Sequence, residues 1–216
     1  MAQVYKAHNG KREKKNMLTE LVLASGNQGK IAEFQRLLED LDIQVHSMKD
    51  YPEIGEIAED GASFAENALI KARAVCNATG KAALADDSGL MVDALDGAPG
   101  IYSARFAGEQ HNDAANNAKL LQLLEPVADA NRTGRFFCAI AIVLPDGREY
   151  TVEGTCSGMI LRELKGQGGF GYDPLFYVPD MGKTFAQLTM TEKNRISHRG
   201  HANRKAIEIL RQLKGE

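Results

Sequence analysis

The 216-residue sequence predicts an α/β fold built on a mixed sheet. Three observations lead there. Leu21-Val22-Leu23-Ala24 is a short continuous apolar run, as a strand buried on both faces requires, and a polar glycine turn and a helical repeat follow it. Ala83-Leu84-Ala85 repeats the strand signal after a second helical pattern. Phe136 to Leu144 then turns through Pro145-Asp146-Gly147 into a strand over 149–155, which makes an antiparallel hairpin. Strand–helix units pair in parallel, so one chain carrying both signals implies a mixed sheet rather than a purely parallel one.

The length suits one domain or one domain of two lobes, with enough chain to bury a core. Hydrophobic content of 44% and charged content of 25% are ordinary for a soluble globular protein. A net charge of −3 supplies no global basic field, so no nucleic-acid partner is expected and an anionic ligand must be held by local donors. No apolar run approaches the roughly 18 residues that span a bilayer, which argues against a membrane partner. Cys76, Cys138 and Cys156 are odd in number and far apart, which argues against a disulfide framework or zinc ribbon and for the reducing cytoplasm. Met1 to Asn16 is basic and lacks an apolar signal core, so a flexible tail over 1–16 and a folded domain over 17–216 are expected.

The first strand exits into Ser25-Gly26-Asn27-Gln28-Gly29-Lys30, and Ile31, Phe34, Leu37, Leu38 and Leu41 follow at helical spacing. Strand, glycine loop and helix together aim free backbone N–H groups and the positive helix end at one point, where Lys30 adds charge and Ser25 and Asn27 add hydrogen bonds. That is phosphate chemistry. It is not a Walker A loop, because Ile31 follows Gly29-Lys30, and a plain strand-to-helix turn accounts for the loop alone equally well. A strand near Ile43 to His46 comes next, then a loop with Pro52 and Gly55. Ser63-Phe64-Ala65-Glu66 reads as a capping box opening a helix to Asn77 or Ala78, with Gly80 as its stop. Glu66, Asn67 and Lys71 fall on that helix's polar side, as a solvated face or as ligand contacts. Glu59 and Asp60 are either first-turn acids or metal ligands facing Asp87.

Ala83-Leu84-Ala85 is expected to end at Asp86 and Asp87, which Ser88 and Gly89 follow. Apolar residues flank the two acids on both sides, and a carboxylate drawn out of water needs partners, so the stretch reads as a site. Asp113 is read as the cap of a helix over Ala114, Ala118, Leu120, Leu121 and Leu124, closed by Pro126. Gly166-Gln167-Gly168-Gly169-Phe170-Gly171 matches G-x-G-x-x-G literally, but it leads into a proline-bounded aromatic run and not a helix, which rules out a dinucleotide fold. What remains is a glycine stretch presenting Phe170, Tyr172 and Asp173, as a base-stacking platform or as core aromatics. Lys193 to Gly200 is read as the opening of the C-terminal helix. Cations at a helix start oppose the dipole, so Lys193, His198 and Arg199 there point to an anionic or carbonyl-rich ligand.

Five motifs stand in series: SGNQGK after the first strand, ADDSGL, GAPGIYSAR, GGFGYDPLF and SHRG. Together they resemble the inosine/xanthosine triphosphatase family, pyrophosphatases of non-standard purine nucleoside triphosphates, over Leu21 to Leu213. The resemblance implies an elongated mixed central sheet flanked by helices, with two lobes and a nucleotide cleft between them. It implies a cytoplasmic homodimer that requires Mg²⁺ and hydrolyses ITP, dITP or XTP to monophosphate and pyrophosphate, cleansing the nucleotide pool. Carried over by position, Ser25, Gly26, Asn27, Gln28, Gly29 and Lys30 would hold the triphosphate. Asp87 would be the proton acceptor and a metal-linked carboxylate, with Ser88 on the substrate and Glu59, or Asp60 beside it, as the further metal-associated acid. Phe170, Gly171, Tyr172, Asp173, Lys193, His198 and Arg199 would surround the base. The rival readings are a pyrophosphatase of modified pyrimidine or methylated nucleotides, and a nucleotide-sensing or RNA-binding module without catalysis.

Overall fold

The computed structural model describes residues 3–5, 18–25 and 28–215, with the backbone alone at 3–5, 28–30 and 33. In chain order the elements are β1 (Gln3–Tyr5), β2 (Glu20–Leu23), α1 (Gln28–Leu37), β3 (Gln44–Ser47), α2 (Phe64–Thr79) and β4 (Ala82–Val92). They continue with α3 (Asp113–Leu123), β5 (Thr133–Val143), β6 (Glu149–Ile160), β7 (Phe176–Val178), β8 (Lys183–Thr184), α4 (Met190–Ile196) and α5 (His198–Lys214).

The strand order is β3-β2-β4-β5-β6-β7-β8, with β1 added to β6. β2 runs parallel to both β3 and β4, whereas β7 is antiparallel to β6 and to β8. The mixed sheet expected from the sequence is present. Leu21 and Val22 are fully buried, which is why this strand reads as an unbroken apolar run.

From β2 the chain crosses through α1 to β3 on one side, then returns through α2 to β4 on the other side of β2. The connections therefore reverse direction between β2 and β4. In open α/β sheets the ground beyond the carboxyl ends of two such strands is where ligands bind. Whatever follows Leu23 and Leu84 in this chain occupies that ground.

The chain divides into two compact units, residues 1–87, 139–153 and 202–216 in the first, and residues 88–138 and 154–201 in the second. The core of the second includes the rings of Phe136, Phe176 and Phe185, with centroids 4.7, 5.4 and 4.8 Å apart in their three pairings.

Three strand assignments differ from expectation, one of them only in that β6 runs on to Ile160, past the expected end at 155. β4 does not end at the acids but carries Asp86, Asp87 and Ser88 within it as far as Val92. β2 stops pairing at Leu84, while β5 lies along the other edge and keeps the later residues in the sheet. Within the stretch expected to be a tail, Gln3–Tyr5 forms a strand against Glu149–Thr151. The reason lies in β6: β7 pairs only with its last residues, Met159 and Ile160, so the backbone groups near its start offer an open edge. The rest of that stretch lies outside the described residues.

Arg132 fastens the segment that leads to the glycine stretch. It is 2% exposed, and its guanidinium donates to the carbonyls of Leu124, Ile160 (2.9 Å) and Leu161 (2.9 Å). One side chain thus joins the end of α3 to the end of β6. Replacing it with methionine fills part of the volume but leaves the carbonyls of Ile160 and Leu161 without this donor, each costing about 1–3 kcal/mol if left unsatisfied, while the Leu124 carbonyl keeps the Val127 N–H at 3.1 Å. The Arg132→Met variant is expected to lose about 2 kcal/mol or more of unfolding free energy in a urea titration, and an unchanged midpoint would contradict this role for Arg132.

Candidate active site

In the first unit, the backbone N–H of Ala24 still donates to Leu84 at 2.8 Å, after which the two parallel strands part. Ser25 begins the exit loop, and α1 starts at Gln28 with no acidic residue in its first turn. The N–H groups of that first turn have no intrahelical partners, as an anion site requires. Gly26 and Asn27 lie outside the described residues, as do the side chains of Gln28 and Lys30.

On the neighbouring strand Asp86 is buried and the Asp87 side chain is 14% exposed. The Asp87 carboxylate accepts a hydrogen bond from the Asn67 side-chain amide at 3.0 Å. Its other oxygen lies 3.9 Å from the Lys71 ammonium, which is also 3.1 Å from the Glu59 carboxylate. Asn67 and Lys71 are four residues apart on α2 and so share a face. In the sequence that face is either solvated or ligand-bearing; in the structure Asn67 is 1% exposed and the Lys71 side chain 13%. An amide and a cation at i and i+4, ahead of a pair of acids, was the signal available.

The start of α2 explains how this face is aimed. Ser63 accepts from the Glu66 N–H at 3.2 Å, as expected of its cap. The Glu66 carboxylate accepts from Ala62 at 2.7 Å and not from Ser63, so the box closes one residue further out. Gly80 stops the helix in the left-handed conformation at φ 66°.

Among the described residues no three His, Cys, Asp or Glu side chains gather as a metal cluster. Magnesium, however, is commonly held by one or two carboxylates, with phosphate oxygens completing its shell. Glu59 and Asp87 both turn an oxygen toward one cation, the Lys71 ammonium. This hard-oxygen pair fits the chemistry of Mg²⁺. Asp60 is exposed.

The second unit holds the residues expected around a base. Phe170 is 63% exposed. Above its ring stand Lys193, with the ammonium 5.0 Å from the centroid, and Arg199, with the guanidinium carbon at 5.8 Å. Asp173, 2% exposed, accepts from Lys193 and from the Phe170 N–H at 3.0 Å, fixing ring and cation together. A Cβ at Gly169 would lie 2.1 Å from that carboxylate, so only glycine fits there. Arg199 also donates to Ser88 at 3.1 Å. His198 is buried, its ring stacked on Phe136 at 4.8 Å.

The Tyr172 side chain lies in the core of this unit. It is 3% exposed and donates to the Ser103 carbonyl at 2.9 Å. Burial, with Asp113 nearby, pushes its phenol well above the ordinary range, so it remains a donor.

Two helix assignments are corrected. Asn112, not Asp113, caps α3. Asp113 is left to accept from the Gly171 N–H at 2.6 Å, and Asn117 donates to the Gly171 carbonyl at 2.8 Å. The supposed opening of the C-terminal helix is two helices meeting at Ser197, which accepts from the Gly200 N–H at 3.1 Å. Lys193 therefore lies in the last turn of α4, where the dipole favours a cation. Only His198 and Arg199 stand at a helix start.

A sequence profile of the Ham1 family matches residues 21–209. The chain belongs to the Ham1 family. A relative from Desulforamulus reducens, named dITP/XTP pyrophosphatase, is 60% identical over 194 residues, covering 90% of this chain and 96% of the relative. One of the same name from Geobacter sulfurreducens is 52% identical over 185 residues, covering 86% and 93%. The chain is also similar to the solved Ham1 protein of Staphylococcus aureus, at 43% identity and TM-score 0.84, and to that of Coxiella burnetii, at 44% and 0.85. Each comparison covers 90% of this chain and 99% of the other. The Ham1 match takes in every residue of both clusters, from Ser25 to Arg199, and leaves out the first twenty.

The helix that carries Lys193 has its own pH dependence. The Glu192 carboxylate is held down to about 2 by the Thr189 N–H, then by the Thr189 hydroxyl and by Lys183. A carboxyl depressed in the folded state contributes stability above its ordinary value, and that contribution is lost as pH falls through the folded value. Stability of the native chain should therefore decline between about pH 4.5 and 2 more steeply than that of Glu192→Gln. Parallel acid melting curves would contradict this.

Proposed function

We propose that the chain hydrolyses deaminated purine nucleoside triphosphates (ITP, dITP and XTP) to the monophosphate and pyrophosphate. The observation that carries this reading is the exposed Phe170 ring with Lys193 and Arg199 over its face, in a Ham1-family chain. A purine stacks on such a ring, and a 6-keto oxygen accepts hydrogen bonds from cationic donors. Adenine presents an amino donor at that position and would leave them unpaired. A site built on such bonds rejects the wrong partner by a factor of about 10⁴. Guanine shares the keto group and must be refused at its 2-amino group, and Arg199 is our candidate for that refusal.

The phosphates are assigned to the first turn of α1 and to Lys30. Asp87 takes the proton of a water directed in line at the α-phosphorus. Asn67 donates to one of its oxygens, and the Lys71 ammonium stands 3.9 Å from the other. Lys71 offsets negative charge beside the phosphates, and Ser88, bonded to Arg199, meets the substrate next along β4. Mg²⁺, held by Glu59 and Asp87 with phosphate oxygens, would neutralise charge growing on the departing pyrophosphate. The proposal includes a cytoplasmic homodimer; sedimentation equilibrium reads the dimer as twice the chain mass.

Pyrophosphate release is measured with ITP, XTP, dITP, ATP and GTP, with and without Mg²⁺. The expected outcome is turnover of the first three in Mg²⁺ and little of the last two. ITP binding without turnover would favour a sensing module instead. Asp87→Asn should lose about 10²-fold or more in kcat, the range for a general base, and near-native turnover would remove Asp87 from that role. Phe170→Ala should raise KM through loss of about 1–3 kcal/mol of stacking, and an unchanged KM would count against the platform.

A further inference from the structure

Asn67 joins two separate parts of the acid cluster. Its side-chain oxygen accepts from the Gly61 N–H at 2.9 Å, on the loop that carries Glu59, and its nitrogen donates to Asp87 at 3.0 Å. The orientation of the amide is fixed by chemistry: an N–H cannot accept, and an ionised carboxylate cannot donate. The residue is 1% exposed, in the first turn of α2, and its own N–H is held by Ser63 at 3.0 Å. The loop presses directly on it, since a Cβ at Gly61 would stand 2.8 Å from the Asn67 side-chain oxygen.

We infer that Asn67 is a positioning residue for the hydrolytic reaction. It ties up one oxygen of Asp87 and so determines that the other, the one facing Lys71, is the oxygen that works. With the opposite end of the same amide it sets the distance of the Glu59 loop from that carboxylate. Glycine at 61 is the counterpart of this role, because any larger residue there moves the amide. Asn67 touches neither water nor phosphate in this scheme; it acts through Asp87 and through the loop that carries Glu59.

The inference rests on the proposed reaction, and the test separates the two. Asn67→Ala removes both bonds. Asn67→Asp keeps the volume and the acceptor for Gly61, but loses the donor to Asp87. Turnover of ITP is measured beside calorimetric binding of an ITP analogue whose α,β bridge cannot be cleaved. Both variants should lose on the order of 10²-fold in kcat, the penalty for misplacing a reacting group by about 1 Å, while the analogue Kd stays within about threefold. An Asn67→Asp variant keeping kcat within about threefold would overturn the inference, since holding Gly61 would then be the whole role. So would an analogue Kd weakened as much as kcat is reduced. Should the alanine variant not fold, the aspartate variant decides alone. A native chain that binds the analogue but leaves ITP intact refutes the proposed reaction, and Asn67 as its positioning residue with it.

Discussion

One ammonium between two carboxylates organises the first unit. Lys71 stands 3.1 Å from Glu59 and 3.9 Å from Asp87, with the side chains of Lys71 and Asp87 largely out of water. At an effective dielectric near 20, unit charges about 4 Å apart interact by about 4 kcal/mol. Desolvation takes back much of that attraction. The two acids alone would repel, so the cation is what permits them to turn toward one place. The cap at Ser63 sets the phase of α2, the phase puts Asn67 and Lys71 on one side, and β4 brings Asp87 to meet them just beyond the carboxyl end of β2. Change any of these and a buried charge loses its partner.

The second unit solves a different problem, holding an apolar ring in water. Phe170 remains exposed only because everything around it is fixed. Asp173 binds its N–H, Asp113 and Asn117 take both polar groups of Gly171, and Tyr172 is sunk in the core with its hydroxyl on Ser103. An ordered ring would lose less entropy on stacking with the proposed base, and affinity would then come from preorganisation as well as from contact area. Lys193 reaches the ring from a helix end where the dipole favours it, and Arg199 from a helix start where it does not. A cation kept against that preference is the costlier feature, and the proposed recognition of a carbonyl would give it a reason.

Much of this was legible in the sequence because it is local. The buried run Leu21–Leu23, the Ser63 cap, the Gly80 stop and the hairpin at Pro145-Asp146-Gly147 each follow from short-range rules. So does the refusal of a dinucleotide fold for the glycine stretch, since no helix follows it. What was not legible depends on partners distant in the chain. The course of β4 through Asp86 and Asp87 is set by β5, about fifty residues on. The burial of Asn67 and Lys71 needs Asp87 and Glu59 in place, so a helix face that looks polar in isolation could not be told from a solvated one. Asp113 looked like a cap because its neighbour Asn112 competes for the same role, and only the Gly171 N–H shows which of them was free for other work. Gln3–Tyr5 became a strand because of an edge left open on β6, which nothing near residue 3 reveals.

In the proposed reaction water, stripped of a proton at Asp87, attacks the α-phosphorus. Hydrolysis of ITP in ¹⁸O-labelled water reads the attacked atom directly. This account predicts the label in inosine monophosphate and none in pyrophosphate. Label found in pyrophosphate would mean attack at the β-phosphorus and would contradict it.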